Sequence, residues 1–362
     1  MATIFPSRRV RWTPFSEGVE AAGMKICTVY NHMILPSVFI SEEEDYRHLK
    51  NHVQVWDVSC ERQIEVKGPD ARALLDLLSP RDLDKMADDQ CYYMPAIDRD
   101  GGMLNDPVLV KLADDHYWIS VADSDYIQYV LGVADARGMD VQVHEPDVSP
   151  LGVQGPKSDD LMARVFGEEV RDIKFFRYKR MAFQDTDFVV ARSGYSKQGG
   201  FEIYVEGSHY AMPLWNALFA AGEDLNVRAG CPSTKERTES GLLSYGNDMD
   251  RRNTPFECGL GKFVNSPKDY IGKKRLLERA DPERQIRAVQ IFGTIPAIRE
   301  VWPLMADGMQ VGEVTTATYS PDFQTNVSIA MVDKSHWDAG TKLTVETTDG
   351  PRDATVRDRF WA

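Results

Sequence analysis

The stretch Ala191-Arg-Ser-Gly-Tyr-Ser-Lys-Gln-Gly-Gly-Phe-Glu-Ile-Tyr-Val205 begins and ends with strand-forming residues and carries three glycines between them. These glycines can adopt positive φ or let the backbone approach a ligand closely. The stretch therefore predicts a β-hairpin with a glycine-rich connection. Because side chains alternate along a strand, Glu202 and Tyr204 are expected on one face and Phe201 and Ile203 on the other.

Glu202 has two interpretations at this stage. A carboxylate can accept two parallel N–H bonds from an amidine-like edge, such as the 2-amino/N3 edge of a pterin. The alternative is a surface hairpin on which Glu202 faces water, because glycine-rich hairpins are common. The residues elsewhere in the chain decide between the two.

Composition and charge exclude several classes of protein. The chain has 362 residues, 43% hydrophobic and 27% charged, which is ordinary for a globular protein of two or three domains. A formal net charge of −14, without a Lys/Arg cluster, argues against nucleic acid or an anionic membrane as a partner. No run reaches the length of a membrane span, and the amino terminus lacks the apolar segment of a signal peptide.

The five cysteines indicate reduced thiols. They are widely spaced and contain no C-x-x-C pair, so neither a disulfide framework nor a zinc site is predicted. We therefore expect a cytoplasmic, metal-free protein. The cysteines are Cys27, Cys60, Cys91, Cys231 and Cys258.

The order of strand and helix patterns predicts an α+β fold. Residues 1–280 mix short strands with amphipathic helices, and residues 280–284 read as a linker. Residues 285–362 are expected to form a separate all-β domain, because alternating runs there are separated by turn residues. These runs are Arg287–Phe292, Val311–Thr315, Val327–Val332 and Lys342–Glu346.

Six motifs occur in the order seen in one enzyme superfamily. They are Gly102-Met-Leu-Asn-Asp106, the 193–202 stretch, Arg237-Thr-Glu-Ser-Gly241 with Tyr245-Gly-Asn-Asp-Met249, Gly259-Leu-Gly-Lys-Phe263, Tyr270-Ile-Gly272 and Thr318-Tyr-Ser-Pro321. From about Trp56 to Lys334 the chain resembles the aminomethyltransferase (glycine cleavage T-protein) superfamily of tetrahydrofolate enzymes. The resemblance implies a three-lobed cloverleaf with tetrahydrofolate in a central channel and a carboxy-terminal β-barrel. Residues 1–280 would then be the folate-binding region, with two intertwined lobes.

The same resemblance implies roles for individual residues. Glu202 would hold the pterin edge, and Tyr195 and Tyr93 would help to form the folate pocket. Asp106 would correspond to the second acid of the superfamily's Gly-Gly-x-x-Asp-Asp run, close to N5 or N10 of the folate, and with Tyr204 it is a candidate catalytic residue. The alternative for Asp106 is that Asn-Asp-Pro forms only a turn. Arg237 and Glu239 are interpreted instead as a structural ion pair at the surface.

Three positions depart from the superfamily pattern. Asn105 replaces the first acid, Cys60 stands where a histidine belongs, and Ser233 stands where an arginine belongs. The altered parts are those that handle a lipoyl-bound aminomethyl group. These departures argue against glycine-cleavage activity itself.

Within the superfamily, the dimethylsulfoniopropionate demethylase branch is most similar in motif content. The similarity is carried by Ser7–Phe15, Tyr30–Met33, His48–Asp57, Gly102–Pro107 and Ser193–Tyr204. It implies transfer of an S-methyl group to N5 of tetrahydrofolate, giving methylmercaptopropionate and 5-methyltetrahydrofolate. Such an in-line displacement requires alignment and exclusion of water rather than a strong acid or nucleophile.

Candidate substrate residues follow from the charge of a sulfonium. Aromatic faces attract a cation, and Tyr30, Tyr93 and Tyr204 are the candidates. Tyr204 has core packing as its alternative, as Met33 and Tyr30 also do. Ser120 is a candidate donor to the substrate carboxylate.

Two other functions remain open from the sequence. One is a different folate-dependent N-demethylase or aminomethyltransferase. The other is a folate-binding protein without turnover. A homodimer is also left open, since the sequence does not give the oligomeric state.

Overall fold

A computed structural model describes residues 7–362, which form eight α-helices and 21 strands. The helices are α1 Ser16–Ala21, α2 Glu42–Asn51, α3 Ala71–Leu78, α4 Tyr126–Arg137, α5 Ser158–Phe166, α6 Ala211–Ala221, α7 Thr234–Ser240 and α8 Lys273–Leu277. The strands are β1 Ile26–Tyr30, β2 Met33–Val38, β3 Val53–Asp57, β4 Gln63–Lys67, β5 Cys91–Tyr93, β6 Ala96–Ile97, β7 Met103–Asn105, β8 Val108–Ala113, β9 His116–Ser120, β10 Gln142–His144, β11 Val148–Gln154, β12 Tyr178–Phe183, β13 Thr186–Ala191, β14 Gly200–Glu206, β15 Val227–Gly230, β16 Arg284–Ile291, β17 Trp302–Ala306, β18 Met309–Ser320, β19 Thr325–Asp333, β20 Lys342–Thr347 and β21 Gly350–Val356.

The chain divides into two compact units with interleaved segments. The first unit contains the residues up to 72, 86–93 and 108–233, and the second contains 73–85, 94–107 and 234–362. The predicted boundary between 280 and 285 separates the carboxy-terminal strands alone, and as a domain division it stays a prediction.

Two larger sheets build the first unit. A six-stranded sheet has the order β12-β13-β14-β11-β3-β15, and a five-stranded sheet has the order β10-β4-β9-β8-β5. One face of β14 places Phe201 and Ile203 in a core that also contains Leu214 and Leu218 of α6. This burial of alternate residues agrees with the predicted alternation along β14.

The predicted glycine-rich hairpin is confirmed. Strands β13 and β14 pair antiparallel, with Ala191 opposite Glu202. Gly200 has φ +150°, and a Cβ there would lie 2.4 Å from the carbonyl oxygen of Val153. A Cβ on Gly194 would lie 2.1 Å from Nε2 of Gln154. The connection therefore requires glycine at both positions, because any side chain would collide with the neighbouring strand.

Two predicted strands are interrupted in the structure. The run 92–98 divides into β5 and β6, and the run 103–111 divides into β7 and β8. The breaks fall at Pro95 and Pro107, where the missing N–H cannot contribute to a strand ladder. The inner strands β6 and β7 pair only with each other, and β5 and β8 join the five-stranded sheet.

The second unit contains a closed barrel of the order β16-β19-β18-β17-β20-β21. Sequence patterns predicted four of its strands and missed β17 and β21, which contain Pro303 and the Gly350-Pro351 pair. The predicted α+β class with a carboxy-terminal β-barrel is confirmed. Arg237 and Glu239 are both buried, so their placement at the surface was wrong.

Residues 7–362 contain neither a membrane-spanning helix nor a cluster of metal-binding side chains. None of the helices in this range is both long and apolar enough to cross a membrane. In the same range, no group of three or more His, Cys, Asp or Glu side chains is placed to hold a metal ion.

Candidate functional site

A row of side chains crosses four strands of the five-stranded sheet. Tyr93 lies opposite Val108, Val108 lies opposite Ser120, and Ser120 lies opposite Gln63. Directly opposed residues in an antiparallel sheet project from the same face. Strand register therefore places Tyr93, Ser120 and Gln63 in one line on one face.

A second row runs beside the first on the same face. Cys91 lies opposite Val110, Val110 opposite Trp118, and Trp118 opposite Glu65. The indole Nε1 of Trp118 donates to Oε1 of Glu65 at 3.1 Å. This bond satisfies the one donor of a buried indole and holds its ring against the sheet.

Tyr204 of β14 packs on this second row. Its ring stacks with that of Trp118 at a centroid distance of 6.0 Å and an interplanar angle of 30°. The side chain is 1% exposed and shares an apolar cluster with Cys91 and Val189. A side-chain hydrogen bond joins its hydroxyl group to Ser120, which belongs to the first row.

The phenol of Tyr204 keeps its proton at neutral pH. Burial raises its pKa well above the usual value, and the acidic side chains nearby, Glu202 foremost, raise it further. The bond to Ser120 acts in the opposite direction but does not compensate. Tyr204 can therefore offer a ring face and a hydroxyl group, but it is not a base.

Glu202 is a buried carboxyl group with few partners. It is 9% exposed, so the alternative in which it faces water does not hold. The hydroxyl of Ser193 donates to its Oε2. Burial raises the pKa of Glu202, and the Ser193 bond lowers it only in part. Burial and the Ser193 bond are the causes of the shift among residues 7–362, so the carboxylate gains most from a ligand that brings N–H donors.

The glycine-rich connection is fixed by a side chain of β11. Gln154 Nε2 donates to the carbonyl oxygens of Ser193 at 3.1 Å and Phe201 at 3.2 Å. The hydroxyl of Ser196 donates to Gln154 Oε1 at 2.9 Å. Tyr195, which lies between these contacts, is half-buried and packs on a cluster formed by Leu49, Trp56 and Val58.

The β1–β2 hairpin carries Tyr30 and Met33 on either side of its tip. Asn31 at the tip has φ 48° and is buried. Its side-chain amide donates to the carbonyl oxygens of Cys60 at 2.9 Å and Val121 at 3.2 Å. Val121 follows Ser120 directly, so these bonds place the hairpin tip at the end of β9. Met33 is buried and Tyr30 is half-buried.

Asp106 belongs to the second unit and follows β7. Its side chain is half-buried, and the preceding Asn105 is fully buried. Burial raises the pKa of Tyr245 to about 12, with smaller contributions from the charges of Asp250 and Asp106. Tyr245 in turn donates to the carbonyl oxygen of Met103 at 3.1 Å.

Cys60, which replaces the superfamily histidine, is buried, and burial raises the pKa of its thiol well above the usual value. Burial also raises the pKa of the Cys91 thiol beside Tyr204. Protonated thiols are weak nucleophiles. The chemistry available on these two rows is therefore recognition and alignment.

Sequence reasoning identified Glu202, Tyr204, Tyr93 and Ser120 but missed several residues that contact them. The contacting residues are Gln63, Trp118, Ser193 and Cys91. Gln154 and Asn31 were also missed, and they hold the glycine-rich connection and the tip of the β1–β2 hairpin. The available signal was a polar or small residue inside an apolar run, such as Gln63 at the start of β4. These residues are brought together by the pairing of neighbouring strands, and the sequence alone does not give that pairing.

Comparison with known proteins agrees with the fold. The GCVT N-terminal domain matches residues 16–268, and the glycine cleavage T-protein C-terminal barrel domain matches residues 284–361. The crystal structure of the glycine cleavage system aminomethyltransferase T from Bartonella henselae superposes with a TM-score of 0.87 at 24% identity, covering 98% of each chain.

Curated relatives match over most of their length. The dimethylsulfoniopropionate demethylase DmdA of Ruegeria pomeroyi is 69% identical over 100% of both chains. An aminomethyltransferase of Caldanaerobacter subterraneus subsp. tengcongensis is 30% identical over 90% of this chain and 89% of its own. On these matches, the chain belongs to the glycine cleavage T-protein family within the aminomethyltransferase superfamily.

Proposed function

We propose that the protein is a tetrahydrofolate-dependent demethylase of dimethylsulfoniopropionate. It transfers one S-methyl group to N5 of tetrahydrofolate and yields methylmercaptopropionate and 5-methyltetrahydrofolate. The observation that carries this proposal is the full-length, 69% identity to a dimethylsulfoniopropionate demethylase. The site geometry supports it, because β14 offers the buried carboxyl group of Glu202 and the aromatic face of Tyr204, and the thiol of Cys91 beside them is not activated.

The residues present fit a reduced pterin. Glu202 is buried, has the Ser193 hydroxyl as its partner and has a raised pKa, so a pair of N–H donors would stabilise its charged form. Tetrahydrofolate, when bound, supplies the amine that accepts the methyl group. Glu202 holds the pterin edge, and Tyr195 and Tyr93 contribute to the walls of the same pocket.

Tyr204 is the aromatic face that we assign to the sulfonium. Its ring is fixed by Trp118 and its hydroxyl group by Ser120. A cation over a desolvated aromatic face gains about 2 kcal/mol. Because the ring is already held in place, little side-chain entropy is lost when the substrate binds.

Ser120 is assigned to the substrate carboxylate. Its hydroxyl oxygen accepts from Gln63 Nε2 at 2.9 Å, so its own proton is available to a carboxylate or to Tyr204. Tyr30 and Met33 would close the site from the β1–β2 hairpin. Arg62, a nearby cation in the sequence, is already paired with Glu145 at 2.6 Å.

The role of Asp106 stays a prediction. A carboxylate near N5 could orient the amine or stabilise the positive charge that methylation creates there. Asp106→Asn would lower kcat with folate affinity retained if this role is correct. Unchanged kcat in that variant would show that Asp106 serves the turn before Pro107.

Location and assembly complete the proposal. We place the enzyme in the cytoplasm, where free thiols such as Cys60 and Cys91 stay reduced. A homodimer is proposed only as the assembly to test, by light scattering of the purified protein.

The test is an anaerobic incubation of the purified protein with dimethylsulfoniopropionate and tetrahydrofolate. Methylmercaptopropionate and 5-methyltetrahydrofolate are followed by chromatography. We expect equal amounts of both products, formed only when both substrates are present. Product from dimethylglycine or aminomethyl-lipoyl protein, with none from the sulfonium, would select an amine donor instead. Folate binding without any methyl product would select a binding protein.

A further inference from the structure

Gln63 lies in the first row, and within residues 7–362 its buried side-chain oxygen, Oε1, has no hydrogen-bond partner. The side chain is 1% exposed. Its Nε2 donates to the carbonyl oxygen of Glu61 at 2.7 Å and to the hydroxyl of Ser120 at 2.9 Å.

The orientation of this amide is determined by its contacts. The carbonyl oxygen of Glu61 can only accept, so the atom facing it must be the amide nitrogen. Oε1 therefore points away from both bonds. Native proteins pair nearly all buried polar atoms, so an acceptor left over in this way requires an explanation.

Gln63 is connected through Ser120 to a tyrosine that lies near acidic side chains. Ser120 connects Gln63 to the hydroxyl group of Tyr204. Two acidic side chains, Glu202 and Glu61, act on Tyr204 with negative charge when they are ionised. This potential favours a positive ligand over a neutral one and repels a negative group in the same position.

We propose that Gln63 is a specificity residue whose Oε1 accepts from the polarised C–H groups beside a sulfonium sulfur. This inference rests on the proposed function and deepens it. The positive sulfur makes the hydrogens on its methyl and methylene carbons weak donors, and a buried amide oxygen is a suitable acceptor for them. Tyr204 supplies the ring face, and Gln63 supplies the acceptor that recognises the charge.

This arrangement distinguishes substrate from product. After methyl transfer the sulfur is a neutral thioether, so its neighbouring C–H groups lose their polarisation. The attraction to Gln63 Oε1 then weakens, and the product has also lost one methyl group. Gln63 thereby promotes release of the product as well as binding of the substrate.

The experiment compares two ligands of one shape. Dimethylsulfoniopropionate and 4-methylpentanoate differ in that a neutral CH replaces the positive sulfur. Their dissociation constants are measured by calorimetry with the folate-loaded wild type and with Gln63→Met. We expect Gln63→Met to lower the preference for the cation by about three- to tenfold, mainly by weakening dimethylsulfoniopropionate. The matched control is Gln290→Met. Gln290 donates to the hydroxyl of Thr325 in the barrel, so its replacement should leave both dissociation constants unchanged.

A purely structural Gln63 gives a different result. If it only holds Ser120 in place, both ligands weaken by the same factor in Gln63→Met and the ratio stays as in the wild type, which overturns the inference. The proposed function survives that outcome. If the wild type binds folate but not dimethylsulfoniopropionate, the proposed function and the inference fail together.

Gln63→Glu keeps the test decisive if the methionine variant does not fold. A glutamate at 63 retains an acceptor oxygen in either protonation state. We expect its cation preference to equal or exceed that of the wild type. A loss of preference in Gln63→Glu would contradict an acceptor role for this position.

Discussion

Two buried carboxyl groups, one in each compact unit, have very different surroundings. Asp248 is 2% exposed, and its Oδ2 accepts from Arg237 Nη1 at 2.7 Å and from the backbone N–H of Ser244 at 2.9 Å. Its Oδ1 accepts from the hydroxyl of Thr316 at 2.7 Å. Glu202 is also buried, but in the described part of the chain its carboxyl group accepts from the hydroxyl of Ser193 alone.

The difference separates a structural network from a binding group. Asp248 has its lone pairs satisfied and its charge compensated, so the network is complete without a ligand. Glu202 has neither, and burial alone raises its pKa. A protein that retains such a group gains stability when donors arrive from outside. The comparison predicts that a change in the Asp248 network lowers the free energy of unfolding, whereas a change at Glu202 lowers the affinity for folate.

The largest effect is expected for Arg237→Met. Removing the guanidinium leaves the charge of Asp248 buried and uncompensated, which costs about 3–5 kcal/mol of unfolding free energy. Urea denaturation of the variant and the wild type measures this loss. Folate affinity of the molecules that remain folded should not change.

The matched control is Arg47→Met. Arg47 pairs with Glu43 at 2.8 Å on the exposed face of α2. An exposed pair of this type contributes about 1 kcal/mol or less. Equal losses in Arg47→Met and Arg237→Met would contradict the structural importance of the buried network.

Glu202→Ala tests the binding group of the comparison. The variant loses two charge-assisted bonds to the pterin edge, so we expect the dissociation constant for tetrahydrofolate to rise at least about 100-fold and activity to be lost. Its melting temperature should stay close to that of the wild type, because within residues 7–362 the Glu202 carboxyl group is bonded to a neutral hydroxyl and not to a cation. Folate fluorescence titration and thermal unfolding measure the two quantities.

Glu206→Gln is the control on the same strand. Glu206 lies at the end of β14 and accepts from Arg180 at 2.8 Å near the surface. Its variant should bind folate as the wild type does. Wild-type turnover in Glu202→Ala would refute the assignment of Glu202 to the pterin.

Tyr204→Phe should have a smaller effect. The ring face and its contact with Trp118 remain, and only the bond to Ser120 is lost, which costs about 1 kcal/mol or roughly a fivefold rise in KM for the sulfonium. Steady-state kinetics at saturating folate measure it. Tyr204→Ala also removes the ring face, so an unchanged rate in that variant would refute the role of Tyr204.

The sequence predicted the parts of this comparison that depend on local pattern. The glycine-rich hairpin, the shared face of Glu202 and Tyr204, and the strand-rich carboxy terminus follow from periodicity and turn residues. The depth at which Glu202 is buried does not, because it depends on which strands cover the hairpin. Strand pairing also decides that Gln63 meets Ser120, and a sequence without pairing information cannot give this.

Buried networks far apart in the sequence were the hardest to predict. Arg237, Asp248 and Thr316 meet only after the second unit has folded, and the sequence suggested a surface pair instead. The proline positions, in contrast, were a usable local signal in the sequence. Pro95 and Pro107 divided predicted strands at places that their missing N–H groups could have indicated.

The smallest expected effect is the pH dependence of stability at Glu202. Its pKa in the folded protein is raised above the usual value of 4.5. The folded state therefore holds the proton more tightly than the unfolded state does. The resulting stabilisation is fully present below about pH 4.5 and is lost as the pH rises through the pKa of the folded state.

The difference in melting temperature between the wild type and Glu202→Gln isolates this contribution. As the pH rises from 4.5, we expect the wild type to lose stability relative to the glutamine variant, because only the wild type must bury a charge. Saturating tetrahydrofolate should reduce the loss, since its N–H donors stabilise the carboxylate. A flat difference without folate would mean that Glu202 is as well compensated as Asp248, and the contrast between the two groups would no longer hold.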